Sequence, residues 1–190
     1  MRSSFGRVVL LIEACIVAGL SAWGQSPPSS MDLAVTYDAA QANIVFGSNF
    51  WMQGGSVQIH GQFWHGLGVV ADVGGLRTGD AHGTGVGLDL VTATFGPRYT
   101  RSWPRRRYAV FGQALAGDAH GFDSVFPATN AVTSSANGLA LQVGGGMNVQ
   151  FSRHFAWRGF EVAWLRTHLP NATTNVENNL RVGTGLVFRF

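Results

Sequence analysis

Residues 139–150 read Leu-Ala-Leu-Gln-Val-Gly-Gly-Gly-Met-Asn-Val-Gln, and their larger apolar side chains recur at every second position. Leu139, Leu141, Val143, Gly145, Met147 and Val149 fall on one side of an extended chain, and Ala140, Gln142, Gly144, Gly146, Asn148 and Gln150 on the other. Successive side chains of a strand point to opposite faces, so this stretch is a ribbon with one greasy face and one small or polar face. The end of the chain repeats it: Leu180, Val182, Thr184, Leu186, Phe188 and Phe190 alternate with Asn179, Arg181, Gly183, Gly185, Val187 and Arg189.

Outward from these two ribbons, residues 33–37, 51–61, 67–73, 88–99, 108–116 and 160–167 also read as strands, which makes eight. Parity is open in two of them. Between Leu88 and Tyr99, an inward Asp89 carries Val91, Ala93 and Phe95 inward with it, unless a bulge shifts the register. Between Arg158 and Trp164, Arg158 and Glu161 have opposite parity, so without a bulge only one faces in. Glu161 is the expected one, with Phe160, Val162 and Trp164 outward.

The connections alternate in length. Those near 62–66, 101–107 and 151–155 are short, whereas those near 39–49, 77–86, 118–136 and 169–178 are longer and rich in Gly, Asn, Asp, Ser and Thr. An even strand number then puts both termini on the short-turn side. Aromatic residues concentrate at two levels. Trp64, Trp103 and Trp157, with Phe63, Tyr99, Tyr108, Phe151, Phe155, Phe188 and Phe190, lie by the short turns, and Trp51, Trp164, Tyr37 and Phe50 lie by the opposite strand ends. Two aromatic girdles flanking an apolar band are the pattern of a transmembrane barrel.

Composition agrees. Only 12% of the 190 residues are charged, against roughly 25% in soluble domains. The 13 basic residues are all Arg. Arg2 and Arg7, the apolar run 8–20 and the small residues before Gln25 form a secretory signal expected to be cleaved after Gly24. Cleavage removes Cys15, the single Cys, which excludes a disulfide framework or a Cys metal site. A lipoprotein reading of Cys15 is disfavoured by Glu13 close before it. The remaining eleven Arg against nine acids make no nucleic-acid face.

No later segment supplies the roughly 20 consecutive apolar residues of a spanning helix, while a tilted strand crosses in about 9 to 11. Hydrocarbon offers no partner to a backbone amide, so a sheet in lipid must close on itself. Eight strands close around an interior just filled by side chains. The inward positions Met52, Gly54, Ser56, Gln58, His60, Asp72, Glu161 and Arg181 suit that interior, with Arg181 the best partner for its acids. The expected organisation is a signal peptide over 1–24, a short periplasmic leader over 25–30 and an eight-stranded antiparallel up-and-down transmembrane β-barrel over 31–190.

With its signal, alternating segments and terminal strand Leu180-Arg-Val-Gly-Thr-Gly-Leu-Val-Phe-Arg-Phe190, the chain resembles the outer-membrane β-barrel superfamily that includes the OmpA transmembrane domain and OmpX. The resemblance covers about residues 31–190. It implies a Gram-negative-type outer membrane reached through the Sec pathway, contact with outer-membrane lipids and lipopolysaccharide, and recognition of the C-terminal Phe190 by the barrel-assembly machinery. The resemblance does not imply peptidoglycan anchoring, which OmpA owes to a domain that follows its barrel.

Several motifs compete with this reading. Gly-Asp-Ala-His-Gly occurs at 79–83 and 117–121, so Asp80, His82, Asp118 and His120 have the chemistry of a shared cation site. Gly and Asp are equally what bends require, and the favoured reading is turn chemistry with no metal. Arg105, Arg106 and Arg107 form a basic turn suited to solvent or to lipid phosphate. Residues 83–87, Gly-Thr-Gly-Val-Gly, lack the strand–loop–helix setting of a phosphate loop. Asn171-Ala-Thr173 matches a glycosylation sequon that carries little weight in a bacterial-type barrel. His60, His65, His154 and His168 show no metal-ligand spacing, and His60 is expected inside. Barrel deacylases resemble serine hydrolases with His and Ser two apart on a strand, and no His-x-Ser occurs here; His120 and Ser124 are the nearest pair. No catalytic, cofactor or metal residue is therefore assigned. The expected role is structural or interactive through the outer loops, the region 118–136 above all. A narrow passive channel is the alternative, and a lipid-modifying enzyme or a soluble lipocalin-like barrel ranks below it.

Overall fold

A computed structural model of the chain describes residues 30–42, 49–81, 85–103, 107–128, 131–170 and 175–190. The signal expected over 1–24 and the leader up to residue 29 lie outside the described residues; Ser30 already belongs to the first strand. Eight strands follow in order: β1 (Ser30–Ala42), β2 (Phe50–Trp64), β3 (Leu67–Thr78), β4 (Leu88–Trp103), β5 (Tyr108–Ala128), β6 (Ala131–Gln150), β7 (Phe155–Thr167) and β8 (Glu177–Arg189).

Each pairs antiparallel with its sequence neighbours, and β1 closes on β8 from Asp32 opposite Arg189 to Gln41 opposite Leu180. Met31 and Phe190 exchange backbone hydrogen bonds at the foot of that seam. The ladder therefore has no free edge along its closed portion, the condition lipid imposes on a sheet. Between β2 and β3 the chain reverses at His65 and Gly66 with φ of 44° and 91°. Two successive positive φ values make the tight turn whose twist matches its strands.

The alternation predicted from period two is realised on the outside. Val35, Val57, Ile59, Val69, Val73, Val91, Phe95, Leu139, Val143, Val162, Val182 and Leu186 are all exposed, a continuous aliphatic band. Tyr37, Trp51 and Trp164 are exposed toward the long-connection end, and Phe63, Trp64, Tyr99, Phe151, Phe155, Trp157 and Phe190 toward the short-turn end. Phe50 departs from expectation, because it is buried inside the barrel and not in the girdle.

Three further expectations are corrected. Asp89 faces outward beside Arg77, and Leu88, Leu90, Thr92 and Thr94 face inward in strict alternation, so β4 needs no bulge there. Arg158 and Glu161 both face inward, because β7 carries an extra residue at Gly159: Arg158 and Glu161 pair with Gly185 and Gly183 of β8. Thr184 donates to the freed Arg158 carbonyl at 2.8 Å. Of the region 118–136, expected as a loop, the described residues lie in β5 and β6. The β5–β6 ladder runs to Ala128 opposite Ala131, whereas β4 leaves β5 at Phe122 and β7 leaves β6 at Ala140. A two-stranded hairpin thus stands beyond the rest of the barrel, with Val125 and Val132 exposed on it.

Candidate functional site

The residues that define what this barrel can do sit in its interior, and they form two layers. In the middle layer Arg98, Arg158 and Arg181 meet Asp38, Asp72 and Glu161, and none of the six is more than 3% exposed. Buried charge is costly unless paired and hydrogen-bonded, and three of each sign cancel formally. Arg181 of β8 reaches across the lumen to Asp72 of β3 at 2.6 Å and lies 3.5 Å from Glu161. Arg158 donates to Glu161 at 2.7 Å and to Asn148 at 3.1 Å. Asp38 accepts a hydrogen bond from Ser56, which also bonds Thr36 at 2.6 Å.

Gln58 is the hub. Its amide nitrogen donates to Asp72 at 3.0 Å and to Glu161 at 2.9 Å, while its carbonyl oxygen accepts from Arg98 and Arg158. A side-chain amide has a donor end and an acceptor end, so one residue joins both signs of charge. Gln113 repeats the device, accepting from Arg98 at 2.8 Å and donating to Glu161 at 3.0 Å. Gln142 adds a third donor to Asp72 at 3.2 Å. Phe111 lies under two guanidinium groups, those of Arg98 and Arg158, at 4.4 and 4.7 Å from its ring centre, a desolvated cation–π arrangement.

Glycines open the space this network occupies. A side chain at Gly74 would begin 3.1 Å from Arg181 and 3.3 Å from Thr92, and one at Gly183 would collide with Asp38. The small inward residues of the sequence are therefore the complement of its large inward residues.

Above this layer, toward the long connections, the interior is apolar. Ala40, Phe50, Met52, Leu76, Leu88, Leu90, Ala119, Phe126, Ala140, Leu165 and Leu169 form one buried cluster. Phe126 of the projecting hairpin folds inward over Gly121, where only hydrogen leaves it room. The inward set read from the sequence contained Met52 of this apolar cap. Its signal was in the sequence as the inward parity of Leu76, Leu88, Leu90 and Leu165, which alternation alone does not separate from a lipid-facing set.

The other singled-out residues are absorbed by local structure. His60 is interior and 3.5 Å from Asp32, which in turn lies 3.4 Å from Arg189. Asp80 accepts the Gly85 amide at 2.8 Å, as a turn residue does. Asp118 and His120 lie in β5, where His120 bonds Asn137 and stacks on Phe122. His82 lies outside the described residues, and among the described residues no group of three or more His, Cys, Asp or Glu could hold a metal. Arg105, Arg106 and Asn171 to Thr173 are likewise outside them. Among the interior residues, sequence reading missed Arg98, Arg158, Asp38 and Gln113: Arg98 shares the inward parity of Thr92 and Thr94, Asp38 lies just past the strand read over 33–37, and Arg158 is legible only once the bulge is known.

A closed eight-stranded meander with an aliphatic exterior and a polar ionic centre is the fold of the small outer-membrane β-barrels. Solved structures share this fold. Neisserial surface protein A superposes with a TM-score of 0.63 at 10% identity, over 85% of this chain and 99% of that one. Ail, the attachment invasion locus protein of Yersinia pestis, superposes at 0.56 with 13% identity over 87% of this chain and 100% of that one. Ail in complex with the heparin analogue sucrose octasulfate gives 0.55 at 15% identity, over 85% and 98%. No protein-family model and no curated protein sequence matches the chain.

Proposed function

We propose that the chain is an integral outer-membrane protein, exported through the Sec pathway, whose role is structural or interactive rather than catalytic or conductive. The carrying observation is that side chains from seven strands interlock across the lumen around Gln58 and Glu161, leaving charge bound to charge where a channel needs water. The aliphatic band and its aromatic girdles support contact with lipid tails, phospholipid and lipopolysaccharide. The terminal strand ending in Phe190 supports handling by the barrel-assembly machinery. Short turns and both termini then face the periplasm.

The projecting β5–β6 hairpin is the part offered to an extracellular partner. Neighbours bearing names such as attachment invasion locus protein favour adhesion over a purely mechanical role. Purified protein added to planar lipid bilayers is expected to insert without stepwise current and to migrate faster on gels before heating than after. Reproducible single-channel steps would overturn the closed-lumen reading in favour of a narrow passive channel.

A further inference from the structure

We propose that the barrel mouth at the short-turn end is a binding site for a phosphate oxyanion, presented either as a phospholipid head group or as the free ion. The lipid source rests on the membrane reading above; the anion chemistry does not. A cavity of about 110 Å³ opens there, lined among others by Trp103, Arg107, Tyr108, Asn148, Gln150 and Arg189. At roughly 30 Å³ per water, it has the room of a few waters or one tetrahedral anion.

Its walls carry donors in excess of acceptors. Arg189 gives one nitrogen to Gln150 at 3.3 Å, while its buried Nε lies 3.4 Å from Asp32 without completing a hydrogen bond. A guanidinium has five N–H donors in a planar fork that matches phosphate oxygens, so Arg189 keeps capacity to spare. Arg107 is exposed in the same lining, with a positive φ of 53° and its carbonyl accepting the Gln150 amide at 2.7 Å. Trp103 and Tyr108 pack at 5.5 Å beside it, and Arg101 lies over Trp103.

The surrounding charge points the same way. Among the described side chains, the short-turn end carries Arg101, Arg107, Arg153 and Arg189 against the acid Asp32. The opposite end carries Asp80, Asp89, Asp118, Asp123 and Glu177 against Arg77 and Arg166. The molecule is therefore polarised, with its cationic pole around this mouth. Trp103 and Tyr108, placed by the sequence in the aromatic girdle, set the cavity at head-group depth.

The test uses the full chain folded in vesicles of phosphatidylcholine with and without phosphatidylglycerol, then released and weighed by native mass spectrometry. A parallel titration adds inorganic phosphate to detergent-solubilised protein and follows the backbone amide NMR signals of Arg107 and Gln150. Retained phosphatidylglycerol, falling about tenfold in Arg107→Gln as expected for one charge-assisted bond removed, supports the head-group source. Saturable shifts with inorganic phosphate but no retained lipid support the free ion. Absence of both, or retention in Arg107→Gln and in the double variant Arg107→Gln with Arg189→Gln equal to that of the unsubstituted protein, overturns the site. Gel migration before and after heating confirms that each variant is folded. Failure to enter vesicles while phosphate still binds would sink the membrane reading and leave this one standing.

Discussion

The layer around Gln58 and the layer around Leu90 and Leu165 are equally buried inside one barrel, yet the first is ionic and the second aliphatic. The ionic layer joins residues 100 or more positions apart through directional bonds, so it tolerates only one arrangement of strands. The aliphatic layer demands volume but no direction. Register and shear are therefore fixed in the middle of the molecule, and closure toward the hairpin is achieved by packing. What this teaches is that charge here acts as a lock on strand order.

Replacing Arg181 with Met should separate the two layers most sharply. Asp72 would lose its 2.6 Å partner, and breaking one side of a buried pair costs about 3–5 kcal/mol. Denaturant unfolding followed by tryptophan fluorescence is expected to show that loss, and the double variant Arg181→Met with Asp72→Leu should recover most of it. A double variant as weak as the single one would mean that the layer acts as one indivisible network.

Leu165→Ala probes the aliphatic layer. Removing a fully buried Leu leaves a cavity costing about 3 kcal/mol, and planar-bilayer recordings should stay silent because the ionic layer beneath is intact. Current through that variant would show that the cap, not the network, closes the barrel.

Gly74→Ala bears on the fit between glycines and charges. Its methyl group would press on Arg181, Thr92 and Ser56 at 3.1 to 3.4 Å, and overpacking of this kind costs about 1 kcal/mol. The midpoint of unfolding reads it directly. Smallest is Arg77→Ala at the Arg77–Asp89 pair, where the Arg side chain is 72% exposed; exposed pairs contribute at most about 1 kcal/mol, and the unfolding midpoint should hardly move. A shift as large as that of Arg181→Met would erase the distinction between buried and exposed charge on which the comparison stands.

Strand number and most of the outward apolar set were legible in the sequence, because side-chain direction in a strand depends only on counting by two; β4 was the exception, where Val91 and Phe95 face outward and not inward with Asp89. That rule found Gln58, His60, Asp72, Glu161 and Arg181 inside. It failed at Arg158, where Gly159 adds a residue and resets the count, and at residues 118–136, whose Gly, Asn and Ser read as loop although β5 and β6 pair there on both sides of a register shift between Phe122 and Phe126. It was also silent on layering, since Leu90 facing in and Val91 facing out are both simply apolar.

Period and composition thus settled the architecture by themselves: a ring of eight ribbons, greasy outside, with the termini at the short-turn end. Which Arg meets which acid, that Gln58 serves both signs, and that the interior changes from ionic to aliphatic along its axis were decided only by tertiary structure. The reason is geometric. Contacts across a lumen depend on the stagger accumulated over every intervening strand, and one bulge in β7 changes that stagger in a way no local pattern records.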